Sequence, residues 1–339
     1  MDFIIYLFEH VLGAYCSREM SSVNIVSNNQ EDDISTLRTS RLINCILNAI
    51  CSFPAAFGNG IILIVIWRTP SLHSPSNTLL FGLALTDFLV GSVTQPLKVA
   101  SSVIYLVSDE EGPVSLTLAF DVLSVVSSAS SFFIATAISV DRYLVFYLHM
   151  RYQAIVTNKK VVVIIILCWF FSAFFGFMWT QNTTVYYLVG IASFLVSFTV
   201  IILMHYKIYR IVRRHQAQIQ SQARVGIEQE ALTQIRFTRF TKSAINTFYV
   251  CFIMFLCYTP YVCVAIVVQF TGQSLTKFVA LQYTGTITFI NSALNPVVYF
   301  WRLPEMRRVI KRTFRCCFRQ RTEERRVGKE CRSRWSPYH

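Results

Sequence analysis

Seven long apolar runs, each closed by charged or polar residues, dominate this sequence. A bilayer's hydrocarbon core, about 30 Å thick, takes roughly 20 helical residues to cross. Backbone within it must satisfy its own hydrogen bonds, which leaves helices or closed barrels. The runs fall at residues 42–67, 77–106, 114–147, 161–179, 185–206, 243–270 and 278–301. They predict an all-α membrane protein, a seven-transmembrane helix bundle whose third span overshoots the bilayer. A chain of 339 residues that is 54% hydrophobic and only 14% charged is no ordinary soluble domain. Its formal charge of +13 does not mark a nucleic-acid partner, because Lys and Arg collect at the edges of the apolar runs.

Alternate connections are basic: Arg68, then Arg151, Lys159 and Lys160, then the series from Lys207 to Lys242, then the tail from Arg302. Basic connections face the cytoplasm. The others carry Asp109, Glu110 and Glu111, the nearly uncharged stretch 180–184, and Lys277. This places the N-terminus outside and the C-terminus inside, as in a multi-pass plasma-membrane protein. The chain divides into an extracellular arm (1–41), the membrane domain (42–301), a cytoplasmic segment (302–322) and a final stretch (323–339). That last stretch, EERRVGKECRSRWSPYH, resembles the translation of a sequencing adapter rather than a protein motif. Asp2 and Glu9 argue against a cleaved signal peptide, and Met20 serves equally well as a start. Most cysteines lie inside apolar runs and read as small buried hydrophobes. The sequon at Asn182 lies so close to two membrane ends that it is a poor glycosylation acceptor.

A polar side chain in lipid either finds a partner or marks a function. Counting about 1.5 Å per residue from the inner edge of each span brings Asn59, Asp87, Ser131, Asn291 and Asn295 to one depth. These oxygens suit a sodium ion. They equally suit a hydrogen-bond network that only glues helices together. On the third span Asp121, Ser124, Ser128 and Ser131 share a face that Arg142 continues three turns below. One helix thus lines a cavity outside and a switch inside, although small serines also serve close packing and Asp121 also suits a solvated rim. Asp141 and Arg142 are adjacent, so the carboxylate can hold the guanidinium in a resting bundle and release its donors to a cytoplasmic partner. Pro260 and Pro296 interrupt helical hydrogen bonding in spans six and seven and supply kinks for a two-state element. No nucleophile, base and orienting group occur together, so an enzyme is not expected.

Taken in order, Gly58-Asn59, LALTD (83–87), DRY (141–143), Trp169, FLCYTP (255–260) and NPVVY (295–299) resemble the rhodopsin-like, class A family of G-protein-coupled receptors. The resemblance covers about residues 42–317. It implies an extracellular ligand and a heterotrimeric G protein, with arrestin, a receptor kinase and membrane lipid as further partners. It also implies a switch built from Asp141, Arg142, Tyr143, His205, Asn295, Pro296 and Tyr299, with Asn59, Trp169 and Pro260 as packing residues. The only cofactor it suggests is an allosteric sodium ion held by Asp87, Ser131, Asn291, Ser292 and Asn295. Residues 303–314 resemble the family's amphipathic eighth helix, followed by palmitoylation candidates Cys316 and Cys317.

The departures narrow the reading. Thr117 replaces the family's usual span-three cysteine and the second extracellular loop has none, so that disulfide cannot form. The fifth span lacks its proline, His205 replaces a tyrosine, Tyr258 replaces a tryptophan, and Phe240 stands where some members keep an acidic latch partner. Release of Arg142 is then easier, or pH dependent through His205. The short loop, the missing cysteine and the missing proline resemble the melanocortin, lysophospholipid and cannabinoid branch. Ser124, Phe289 and Ala265 replace the residues that hold amines, retinal and adenosine in other branches. Asp121, Ser124, Tyr258 and Phe289 are the candidate ligand contacts, with a cationic peptide the leading ligand class and a lipid second. A scavenger receptor that binds without coupling and an ion transporter or channel are the alternatives, though no internal repeat supports transport.

Overall fold

The computed structural model describes residues 30–109, 112–148, 151–222 and 230–302. The arm 1–29, Glu110, Glu111, the eighth-helix segment, Cys316, Cys317 and the stretch 323–339 lie outside the described residues, as does the Phe240 side chain.

Seven long helices account for the membrane domain: α1 (Gln30–Arg68), α2 (Pro75–Ser108), α3 (Val114–Leu148), α4 (Asn158–Gln181), α5 (Thr183–Gln222), α6 (Glu230–Thr271) and α7 (Leu275–Arg302). The described residues contain no strand. Six of these helices hold a stretch apolar enough to cross a membrane unaided. The seventh, α7, is more polar because Thr284, Thr286, Thr288, Asn291, Ser292 and Asn295 sit along it. It resides in the bundle because several of those side chains turn inward: Thr286, Asn291, Ser292 and Asn295 are all buried.

Local chemistry sets the helix ends. The Ser74 hydroxyl accepts from the Asn77 N–H and Pro75 opens α2, a pairing that satisfies an orphan donor and pre-sets φ. Pro96 cannot donate to the carbonyl one turn behind it, and α2 loosens into a π turn over Val90–Thr94 just before it. Helices α4 and α5 are separated by Asn182 alone, whose Oδ1 accepts from the Val185 N–H as an N-cap. That capping role gives the sequon residue a structural duty at the point where the chain reverses.

Burial is inverted relative to a water-soluble protein. Phe170 is 69% exposed and Phe270 85%, whereas Asn48, Asn59, Asp87 and Gln95 are fully buried. The exposed aromatics face hydrocarbon, so no hydrophobic force drives them inward, and packing is left to shape and polar pairing. α3 is the hub, touching α2, α4, α5 and α6. Trp169 on α4 packs at the edge of an apolar cluster that includes Leu79, Leu83, Ile134 and Ile138.

Close approach of α1 and α7 depends on Gly58. A Cβ there would lie 2.7 Å from Pro296 Cβ and 2.8 Å from its Cγ, against a rigid ring. Gly58→Ala should therefore destabilise the bundle by about 1–3 kcal/mol, measured as a lowered midpoint in thermal unfolding of the purified protein.

Candidate functional site

At the outer end the helices part around a cavity of about 790 Å³. All four ligand contacts expected from the sequence, Asp121, Ser124, Tyr258 and Phe289, line it. The Phe289 ring meets Phe120 edge-on at 6.2 Å. Tyr258 forms part of the lower wall. Its ring lies 5.8 Å from Phe132 and its hydroxyl donates to the Ser128 carbonyl at 3.2 Å. This bond ties α6, two residues to the inner side of Pro260, to α3. Three further tyrosines, Tyr186, Tyr187 and Tyr261, line the side nearest Asp121. The wall also carries two cations, Arg41 and Lys98. Lys98 Nζ donates to Gln282 Oε1 and stands 4.9 Å from the Phe120 ring, one residue before Asp121. At the rim the Arg38 guanidinium pairs with Asp109 at 2.7 Å, an exposed contact of little energetic weight.

Deeper, Asp87 is fully buried and gathers three donors: Asn295 Nδ2 at 2.6 Å, Ser292 Oγ at 2.8 Å and Ser131 Oγ at 3.4 Å. A buried carboxylate without such partners would cost several kcal/mol. Asn59 Nδ2 donates to the Ser292 carbonyl at 3.0 Å and to Ala55 at 2.8 Å, so α1 braces α7 at this level. The side-chain oxygens of Asn59, Asn291 and Asn295 are buried without a protein partner. A carboxylate, two hydroxyls and spare amide oxygens are a donor set that fits a sodium ion.

At the inner end Asp141 and Arg142 are both buried, with Arg142 Nη2 3.3 Å from Asp141 Oδ2. Asp141 is held by two further groups. Ser76 Oγ, at the start of α2, donates to Oδ2 at 2.6 Å, and the Tyr152 hydroxyl, in the α3–α4 connection, donates to Oδ1. Burial, the Asp141 charge and this hydrogen bond raise the Tyr152 phenol above its ordinary range, so it remains a donor at physiological pH. Tyr143 faces the other way, stacked on Tyr147 with Lys207 of α5 over its ring at 5.2 Å.

His205 is not hydrogen-bonded to Arg142. Its Nδ1–H donates to the Ile201 carbonyl one turn back at 2.9 Å, its ring rests 5.4 Å from Phe248, and its buried Nε2 has no protein partner. A shorter, stiffer ring replaces a phenol here, and its one donor is spent on its own helix. Tyr299 is buried in the cluster with Ile138 and Val250, its hydroxyl without a protein partner.

Comparison with known proteins turns this geometry into a family. The chain matches the 7 transmembrane receptor (rhodopsin family) over residues 58–186 and 175–299, more than half its length. It is a member of that family. Among curated relatives, the receptor is 27% identical to mouse trace amine-associated receptor 1, with 75% of this chain and 83% of the relative covered. It is 26% identical to sheep adenosine receptor A3, with 80% and 88% covered. Squid rhodopsin shares the fold at a TM-score of 0.72 and 19% identity, covering 83% of this chain and 87% of that one. The family is one of receptors, not enzymes. The likeness to the melanocortin, lysophospholipid and cannabinoid branch rests on the loop, cysteine and proline departures alone.

Sequence reasoning did not single out Ser76 or Tyr152 as partners of the receptor's Asp141. Neither lies in an apolar stretch, and the available signal was weak: a tyrosine in a short basic connection ten residues after Arg142. Tyr152→Phe removes a hydrogen bond to a charged acceptor, worth about 1.5–3 kcal/mol. It should speed amide deuterium exchange across residues 151–156 at least about tenfold, while exchange around Asp87 stays unchanged.

Proposed function

We infer that this receptor binds an extracellular ligand in the outer cavity and answers by activating a heterotrimeric G protein at Arg142. The observation that carries this reading is that one helix, α3, supplies Asp121 and Ser124 to the cavity and Asp141 and Arg142 to the opposite end. A ligand that pulls on Tyr258 strains its bond to Ser128 and turns α6 about Pro260. The inner ends then separate, and Arg142 exchanges Asp141 for the partner. Ser76 and Tyr152 set how much ligand free energy that exchange requires.

In the same reading, the N-terminus and cavity face outward at the plasma membrane, and arrestin and a receptor kinase share the inner face with the G protein. A sodium ion held by Asp87, Ser131, Asn291, Ser292 and Asn295 would supply positive charge against the buried carboxylate and favour the closed bundle. The oxygen-only donor set supports that assignment.

For the ligand, Asp121 supplies a counter-charge for a cation and the three neighbouring tyrosines supply aromatic faces, which favours a basic peptide. The relatives named for trace amines point to a cationic group as well, but in the amine receptors the acid stands at Ser124's position, one turn deeper. Lys98 and Arg41 oppose this reading, since a cationic ligand must share the wall with them. They favour the second reading, a lipid with an anionic head. Charge substitutions separate the two. Asp121→Asn should weaken binding of basic peptides at least about tenfold while Lys98→Met strengthens it, and a lysolipid ligand should reverse both signs.

Coupling is tested directly. Arg142→Ala should abolish nucleotide exchange on added G protein while surface expression persists; undiminished exchange would remove Arg142 from the mechanism. Asp87→Asn should eliminate the response of thermal stability to sodium, and an unchanged response would leave the pocket a packing device.

A further inference from the structure

Gln95 is the most anomalous side chain in the bundle. It follows the π turn of α2, is 0% exposed, and neither its Oε1 nor its Nε2 has a protein partner. A carboxamide with both ends unpaired in an apolar interior carries a desolvation cost that is large beside a fold's narrow stability margin. A buried group of this kind calls for a partner outside the protein, such as an ordered water or an ion.

The register of α1 against α2 shows what surrounds it. A Cβ at Gly91 would come within 2.7 Å of Ala55 Cβ, and the Cys45 thiol reaches the Val99 carbonyl at 4.0 Å. Gln95, midway between Gly91 and Val99, therefore faces α1 about midway between Cys45 and Ala55. Asn48 stands at that level, itself fully buried. Its Nδ2 donates to the Asn44 carbonyl at 2.8 Å and to Thr286 Oγ1 at 3.1 Å, while its Oδ1 has no protein partner. Thr286 Oγ1 in turn donates to Asn44 Oδ1 at 2.7 Å. Thr286 also lines the ligand cavity, one turn below the Gln282 that accepts from Lys98. Lys98 is one turn above Gln95. Helices α2 and α7 thus carry polar groups at matched depths, Lys98 with Gln282 and then Gln95 with Thr286, above Asp87 with Ser292 and Asn295.

We propose that Gln95, Asn48, Asn44 and Thr286 form an internal hydration site between α1, α2 and α7, holding ordered water behind the Thr286 wall of the ligand cavity. The chemistry selects water over a second metal ion. A cation would satisfy Gln95 Oε1 and Asn48 Oδ1 but leave the Nε2 donors of Gln95 unpaired, and the cluster has no carboxylate. Water both donates and accepts, and a buried water characteristically makes about three such bonds. Because Thr286 belongs to both the cavity wall and this site, a ligand that displaces it perturbs the water and, through it, α7 above Asp87. This route runs through α1, α2 and α7, and it holds whatever partner the inner face engages.

Thermal unfolding of the purified receptor, followed with a thiol-reactive dye on its buried cysteines, tests the site. Gln95→Asn keeps an amide but removes volume that water can fill; Gln95→Met keeps volume but removes the polar ends. Hydration gives the order of stability Gln95, then Asn, then Met, with Met lowering Tm by several degrees. Met equal to or above the parent, with Asn lowest, would show a dry packing site and overturn the proposal. A second comparison guards against a local misfit of methionine. On a Thr286→Val background, Gln95→Met should lower Tm by less than half as much as alone, because the water has already lost a partner, and full additivity would count against a shared water.

Discussion

A carboxylate in hydrocarbon has no solvent to fall back on, and the arrangement of this receptor follows from where its polar groups find company. Asp87 draws donors from α3 and α7, and Asn59 fastens α1 to the same level. Without these bonds nothing in lipid would prefer one rotation of α7 over another, since its outer surface is no more at home in acyl chains than in a neighbour's groove. The polar interior therefore does for this bundle what the hydrophobic core does for a soluble one. Apolar packing then supplies tightness: Gly58 against Pro296 lets α1 and α7 come closer than any side chain at that position would permit.

The same logic makes the bundle switchable. Hydrogen bonds that cross between helices can exchange partners without exposing anything to lipid, whereas a well-packed apolar seam resists gradual deformation. Tyr258 to Ser128 near the cavity, Asp87 to Asn295 at mid-depth, and Tyr152 and Ser76 to Asp141 at the inner edge are all bonds of this exchangeable kind. They lie at successive depths, and α3 supplies a group at each level: Ser128, Ser131 and Asp141.

How far the sequence could be read depended on whether depth or rotation mattered. Depth follows from a constant rise per residue, so counting along apolar runs was enough to bring Asp87, Ser131 and Asn295 together, and the bundle itself was legible from run lengths. Rotation is harder, because a helix apolar nearly all round carries little phase. Lys98 and Gln282 joining across the cavity, and Gln95 turning into the buried interior, were accordingly not visible, although all are plainly polar residues inside spans. Groups outside the spans had neither reference. Ser76 and Tyr152 meet Asp141 only because the α3–α4 connection folds back under α2. His205 shows the opposite failure. Position alone suggested that it meets Arg142, but its imidazole satisfies itself on the Ile201 carbonyl instead.

The junction at Asn182 bears on how force travels in this molecule. With a single residue between α4 and α5, the two helices are stapled at the end of the bundle that holds the cavity, and α5, 40 residues long, runs from there to the opposite end. At about 1.5 Å per residue it is a lever of about 60 Å with its fulcrum at one extremity. A tilt of about 5°, hardly noticeable where a ligand sits, sweeps the far end through about 5 Å, roughly the width of one helical turn. A hinge of one residue has little slack to absorb such a tilt, so the displacement is carried along the helix to its far end.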